Sequence, residues 1–140
     1  MTILRRDPEL ELDAATIPRD WCHGDSYQTT FLAALSLLFP EGERFFVDSV
    51  KRHRAHATDP ALARDVAGFI GQEAMHGKAH RELNDLFVAR GLTSAPRIDA
   101  ALRRFLHAVR ARLPALSQLA VTCALEHFTA MLAEMLLGDP

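Results

Sequence analysis

The segment from residue 60 to residue 90 combines a helical pattern with charged side chains at positions that face a core. Glu73, His76 and His80 continue its apolar stripe, lying within roughly one residue's arc of one another at about 100° per residue. Burying an unpaired carboxylate costs several kcal/mol, so a buried acid must be paired, protonated or bound to a metal. The segment therefore predicts a helix whose inner face carries a polar site. The apolar members of the stripe are Leu62, Val66, Phe69, Leu83 and Phe87.

Helical spacing and helix-start residues predict an all-α antiparallel helical bundle. The expected helices lie near residues 26–39, 41–56, 60–90, 97–113 and 115–137. Asp25 or Ser26 is the expected cap of the first, and Pro60 opens the third. Residues 1–24 carry no helical stripe and are predicted to form an irregular arm that Trp21 anchors to the body. Residues 25–140 are predicted to form one helical metal-binding domain.

Two further helices are predicted to turn an acid inward. Glu43 lies on the same helical face as Phe39 and Val47, and Glu126 lies in the apolar stripe of the last helix. That last stripe is predicted to comprise Leu119, Cys123, Glu126, Ala130, Ala133 and Leu137. A buried ion-pair network is the alternative, but the Lys and Arg residues lie mainly off these faces. Three inward acids, with Glu73-x-x-His76 among them, therefore favour metal binding.

The chemical types of the candidate ligands limit which metal ion the site could bind. Carboxylate and imidazole donors without thiolate suit Fe, Mn or Zn, and we expect a divalent ion, with iron favoured. Structural zinc sites usually contain cysteine, and calcium sites use an oxygen-rich loop. Cys22 and Cys123 belong to no Cys-x-x-Cys pair, which is typical of a protein from a reducing compartment.

Composition is typical of a soluble globular protein, and the expected partner is a small-molecule substrate. The chain is 49% hydrophobic and 24% charged, with a net charge of −2. This charge gives no reason to expect nucleic acid or an anionic membrane as a partner. The N-terminus lacks the apolar core of a signal peptide, and the apolar run 130–137 is too short to span a bilayer. We therefore expect a cytoplasmic location and no membrane partner.

Three sequence blocks together resemble a bacterial family described as predicted metal-dependent hydrolases. They are residues 39–46 (FPEGERFF), residues 69–76 (FIGQEAMH) followed by His80, and residues 124–130 (ALEHFTA). Their motifs are similar in turn to those of ferritin-like di-iron carboxylate proteins, which implies a ferritin-like bundle. The resemblance places Glu43, Glu73, His76 and Glu126 at metal-ligand positions. His80 is then a further ligand, a residue supporting the ligands, or the catalytic base.

One departure from the family leaves the function open. The resemblance implies a longer chain with another helix that carries a second acid-and-His motif, and this sequence has none. We therefore expect a fragment lacking its C-terminal ligand helix, a homodimer that completes the site, or a site for one ion or none. A metal-dependent hydrolase is the first interpretation. A di-iron oxidoreductase or oxygenase and a non-catalytic helical metal-binding or interaction protein are the alternatives.

Overall fold

The computed structural model describes residues 3, 5–10, 12–92 and 94–138, and this part of the chain is helical with no strand. The helices are α1 (Ser26–Ser36), α2 (Phe39–His53), α3 (Pro60–Ala89), α4 (Ala95–Arg112) and α5 (Ala115–Leu137). A short 3-10 turn, Arg54–His56, follows α2. The predicted all-α class is confirmed, whereas a ferritin-like arrangement stays a prediction.

The predicted starts of α1 and α3 are confirmed by their caps. Asp25 accepts a hydrogen bond from the backbone N–H of Gln28, and Asp59 accepts one from Leu62. The α1–α2 boundary differs from the prediction, because α1 ends at Ser36 and Pro40 lies in the first turn of α2. A proline fits there because a first-turn N–H has no partner within the helix.

Helix α2 occupies the centre of the fold and contacts each of the other four helices. Its Phe45 and Phe46 are buried, and Leu86 and Phe87 of α3 are buried as well. Phe45 was not among the core residues predicted from sequence, yet it is only 2% exposed. The guanidinium carbon of Arg110 lies over its ring, 5.4 Å from the centroid. Because α2 and α3 share this core, they hold the inward acids of both helices in fixed positions.

The N-terminal arm lies along α3. Trp21 stacks on Phe87 with ring centroids 6.2 Å apart, which confirms its predicted anchoring role. Arg90 donates hydrogen bonds to the carbonyl oxygens of Ala14 and Pro18, both at 2.8 Å. Farther along α3, a side chain at Gly68 would meet the backbone of this arm at residue 3. Glycine therefore permits the close approach of the arm to the helix.

Helix α5 presents only part of the predicted stripe to the core, and the prediction was wrong at three positions. Leu119 and Glu126 turn inward as predicted, and the side chain of Leu137 lies outside the part that the structure describes. Cys123, Ala130 and Ala133 are exposed. The buried or half-buried residues of α5 are Gln118, Leu119, Thr122, Glu126, Thr129 and Leu132, the last at the edge of the outer side. Helix α5 is apolar almost all round, so its sequence gave no clear indication of which side would pack on α2. By length and composition alone, Ala115–Leu136 is also long and apolar enough to cross a membrane.

On α4, the apolar side is only partly covered. Phe105 is 63% exposed, while Leu102, Leu106 and Val109 are half-buried. His107 of the same helix is exposed.

Candidate metal centre

Glu43 of α2 is the most buried of the candidate ligands, at 2% exposed. The imidazole Nδ1 of His76 pairs with Glu43 Oε1 at 2.8 Å, whereas Glu43 Oε2 is buried and has no hydrogen-bond partner among the described residues. Burial raises the pKa of Glu43 above its ordinary value of 4.5, although nearby His76 opposes this effect. A buried carboxylate with one unsatisfied oxygen is suited to binding a cation.

Gly77 of α3 provides the space that the Glu43 carboxylate occupies. A Cβ at position 77 would lie 2.7 Å from Glu43 Oε2, closer than two non-bonded atoms normally approach. It would also lie 3.4 Å from the guanidinium NH1 of Arg81. The glycine in the Glu73–His80 segment thus lets α3 approach the α2 carboxylate closely.

His76 lies between two carboxylates. Its Nδ1 is 2.8 Å from Glu43 Oε1 and 3.8 Å from Glu73 Oε2. These neighbours, Glu43 first and then Glu73, raise the pKa of His76 to about 10. Without a metal ion, the ring therefore carries a proton on both nitrogens at neutral pH.

A chain of hydrogen bonds fixes the orientation of His80. Asn84 donates its amide N–H to the backbone carbonyl of Ser36 at 3.2 Å, so the amide oxygen accepts the Ser36 hydroxyl proton at 2.8 Å. The Ser36 oxygen must then accept from His80 Nδ1, which is 2.8 Å away. This assigns the proton of neutral His80 to Nδ1 and leaves a lone pair on Nε2. Phe39 stacks on the ring at 4.3 Å between centroids and restricts its rotation.

The two imidazoles meet through their Nε2 atoms, which are 3.1 Å apart. Burial first, and then the charge of His76, lower the pKa of His80 to about 4, so His80 is neutral at pH 7. In the absence of a metal ion, the protonated Nε2 of His76 donates a hydrogen bond to the lone pair on His80 Nε2. Donor atoms of Glu43, His76 and His80 all lie within 4.8 Å of one another. The three residues thus have the separation and chemistry required to share one divalent ion.

The other predicted ligands lie beside this group. Glu73 is 8% exposed and approaches His76, but it is outside the set of donors within 4.8 Å. Glu126 is half-buried on α5 and is also outside that set. Burial, followed by the charges of Glu73 and Glu43, raises the pKa of Glu126 to about 7. The structure therefore groups His80 with the donor atoms of Glu43 and His76, and Glu73 and Glu126 lie beside this group.

A cleft of about 770 Å³ reaches the centre from the side of α4. Glu43, Glu73, Gly77 and Arg81 are among its lining residues, whereas His76 and His80 are not. A separate hollow of about 590 Å³ lies between α2, α3 and α5 and is mostly apolar, with Glu126 in its wall. The cleft gives a small molecule access to the carboxylates of α2 and α3.

Ser36, Phe39 and Asn84 were missed as functional residues by the sequence patterns. Asn84 follows His80 by four residues, so helical spacing alone places the two on one face. Ser36 and Phe39 lie on either side of the α1–α2 turn, and only the tertiary structure shows that both contact His80.

The chain matches the model of one protein family, described as predicted metal-dependent hydrolase, over residues 4–140. Since the match covers nearly the whole chain, the protein belongs to this family. Neither the curated proteins nor the solved structures contain a match to it. The family membership and the Glu–His cluster agree on a site for a divalent metal.

Proposed function

We propose that the protein is a hydrolase of small molecules and that Glu43, His76 and His80 hold its divalent metal ion. The observation that carries this proposal is the convergence of their donor atoms within 4.8 Å. The unsatisfied Oε2 of buried Glu43 and the lone pair assigned to His80 Nε2 support it. The donor set suits Fe, Mn or Zn.

A divalent ion would supply a Lewis acid that lowers the pKa of water and polarises the bond to be hydrolysed. The protein holds its three donors in place through the α2–α3 core and the Ser36–His80 hydrogen bond. Glu73 lies beside the donor group and lines the cleft, so we assign it the role of accepting the proton that water releases. His80 was the base predicted from sequence, but its position in the donor group suits a ligand better.

Metal content compared between two glutamate variants tests the ion site. Glu43→Gln should abolish stoichiometric binding of Zn²⁺, Mn²⁺ or Fe²⁺ after dialysis, because it removes the buried anionic donor. Glu41→Gln is the matched control, since Glu41 is a buried acid of the same helix that pairs with Arg44 and Arg103 instead. Equal metal content in both variants would contradict the proposed site.

Activity is tested on the metal-loaded protein with p-nitrophenyl phosphate and p-nitrophenyl acetate. Hydrolysis that requires the metal and falls in Glu73→Gln, while metal content is retained, supports the assigned roles. Two iron ions per chain with a near-ultraviolet oxo-iron absorption band, and no hydrolysis, would instead support the di-iron oxidoreductase alternative. A protein that binds no metal would support the non-catalytic interpretation.

A further inference from the structure

Helix α5 has its more polar side against the protein and its more apolar side towards solvent. Gln118 and Thr122 are buried against α2, where the Thr122 hydroxyl bonds that of Ser49 at 2.7 Å. On the outer side, seven large apolar side chains are at least 36% exposed. They are Leu116, Val121, Leu125, Phe128, Met131, Met135 and Leu136. A helix that is apolar on its solvent side requires a partner.

The outer side chains include a regular row. Val121, Leu125, Phe128, Leu132 and Met135 follow one another at steps of four, three, four and three residues. This is the spacing at which two helices pack side by side through a continuous apolar seam. Four of the five are exposed, and Leu132 is half-buried. We call this row the α5 seam.

We propose that the α5 seam is a homodimer interface, in which α5 packs against α5 of a second copy of this chain about a two-fold axis. The seven exposed side chains cover an area on the order of several hundred Å², a size typical of interaction sites. A standard interface buries about 800 Å² per partner. A two-fold dimer presents the same patch on both sides, so an apolar row of this length can cover itself.

The lack of charge on the outer side favours a second copy over a different protein. His127 and Glu134 are its only titratable side chains other than Cys123 among the described residues of α5. Helix pairs that select a different partner usually use charged flanking positions to do so. An uncharged seam contains no like charges that would repel an identical copy.

Contacts at the start of α5 argue against insertion of this helix in a membrane. Gln118 accepts a hydrogen bond from Arg52 at 3.4 Å and donates one to the backbone carbonyl of Arg110 at 3.2 Å. Arg110 in turn pairs with Asp48 at 3.3 Å. A bilayer around α5 would bring these charged groups of α2 and α4 to the edge of the hydrocarbon, which is unfavourable.

Sedimentation equilibrium over the micromolar range tests the proposal. The wild-type chain should be a dimer, and Leu125→Glu with Phe128→Glu should be a monomer. Phe105→Glu on α4 is the matched control, because Phe105 is 63% exposed, close to the 65% of Phe128, but lies outside the seam. The control should remain dimeric, and circular dichroism should show native helix content in all three.

Three results would contradict the proposed homodimer. A wild-type chain that is monomeric throughout the range would do so, as would equal loss of association in the Phe105 variant, which indicates non-specific adhesion. Co-flotation of the wild-type chain, but not the double variant, with phosphatidylcholine vesicles would assign the same surface to a membrane instead.

Discussion

Helices α2 and α5 pack against each other but distribute polar and apolar side chains in opposite ways. Helix α2 buries Phe45 and Phe46 together with the carboxylate of Glu43. Helix α5 buries Gln118 and Thr122 and exposes Leu125 and Phe128. The buried carboxylate of α2 lies in a group of donors that could hold a cation, whereas the outer apolar side chains of α5 are left uncovered by the described residues. The buried acid of α2 thus favours a bound cation, and the exposed apolar side of α5 favours a protein partner.

The largest expected effect is a loss of stability on removing a buried aromatic ring from α2. Phe45→Ala should lower the free energy of unfolding by about 3–5 kcal/mol, because it leaves a cavity under Arg110 in the α2 core. Phe105→Ala on the exposed side of α4 should change it by less than about 0.5 kcal/mol. Urea denaturation of the two variants provides the measurement. Similar losses would mean that Phe105 is covered in solution.

Gly77→Ala tests whether the close approach of α3 to Glu43 is needed for metal binding. The new methyl group would lie 2.7 Å from Glu43 Oε2, so the carboxylate must move, and metal affinity should fall by about 100-fold. Gly71→Ala is the control on the same helix, where a Cβ would make an ordinary 3.6 Å contact with Arg5. Calorimetric titration with Zn²⁺ measures both. Unchanged affinity in Gly77→Ala would exclude Glu43 as a ligand in its present position.

Ser36→Ala tests the hydrogen-bond chain that orients His80. Without the hydroxyl, Nδ1 loses its acceptor and the imidazole is free to choose the other tautomer, so metal affinity should fall by about 10-fold. Thr30→Ala is the control on α1, because its hydroxyl bonds only the carbonyl of Ser26 among the described residues. Equal affinities in the same titration would show that Ser36 does not position the ligand.

The smallest expected effect is on the pH dependence of stability and concerns Glu126 of α5, whose pKa responds to the charges of Glu73 and Glu43. Its pKa of about 7 exceeds the ordinary 4.5, so the folded chain retains a proton that the unfolded chain has released. Stability of the metal-free protein should therefore fall as pH rises from about 4.5 to 7, and remain reduced above that range. Glu126→Gln removes this penalty and should raise Tm by a few degrees at pH 8 but not at pH 4.5.

Thermal unfolding of chelator-treated protein at both pH values measures this effect. The exposed acid of the same helix provides the control, because Glu134→Gln removes an equal charge from a solvated position. A pH-independent gain in Glu126→Gln would show that the benefit comes from packing rather than from charge.

The sequence alone determined the helical class of this protein and indicated most residues of the candidate site. Periodicity and caps are local properties, so Asp25, Asp59 and Pro60 were enough to place helix starts. Glu43, His76 and His80 stood out because each interrupts an apolar stripe. These signals depend only on neighbours within one or two helical turns.

Only the tertiary structure decided which side of α5 faces inward and which donors meet. Helix α5 is apolar almost all round, so burial of either side was compatible with its sequence, and contact with Ser49 and Arg52 of α2 selected the polar side. The grouping of His80 with Glu43, rather than Glu126, depends on the distance between α2 and α3 at Gly77. Such distances arise from packing between segments far apart in the chain, and local spacing contains no information about them.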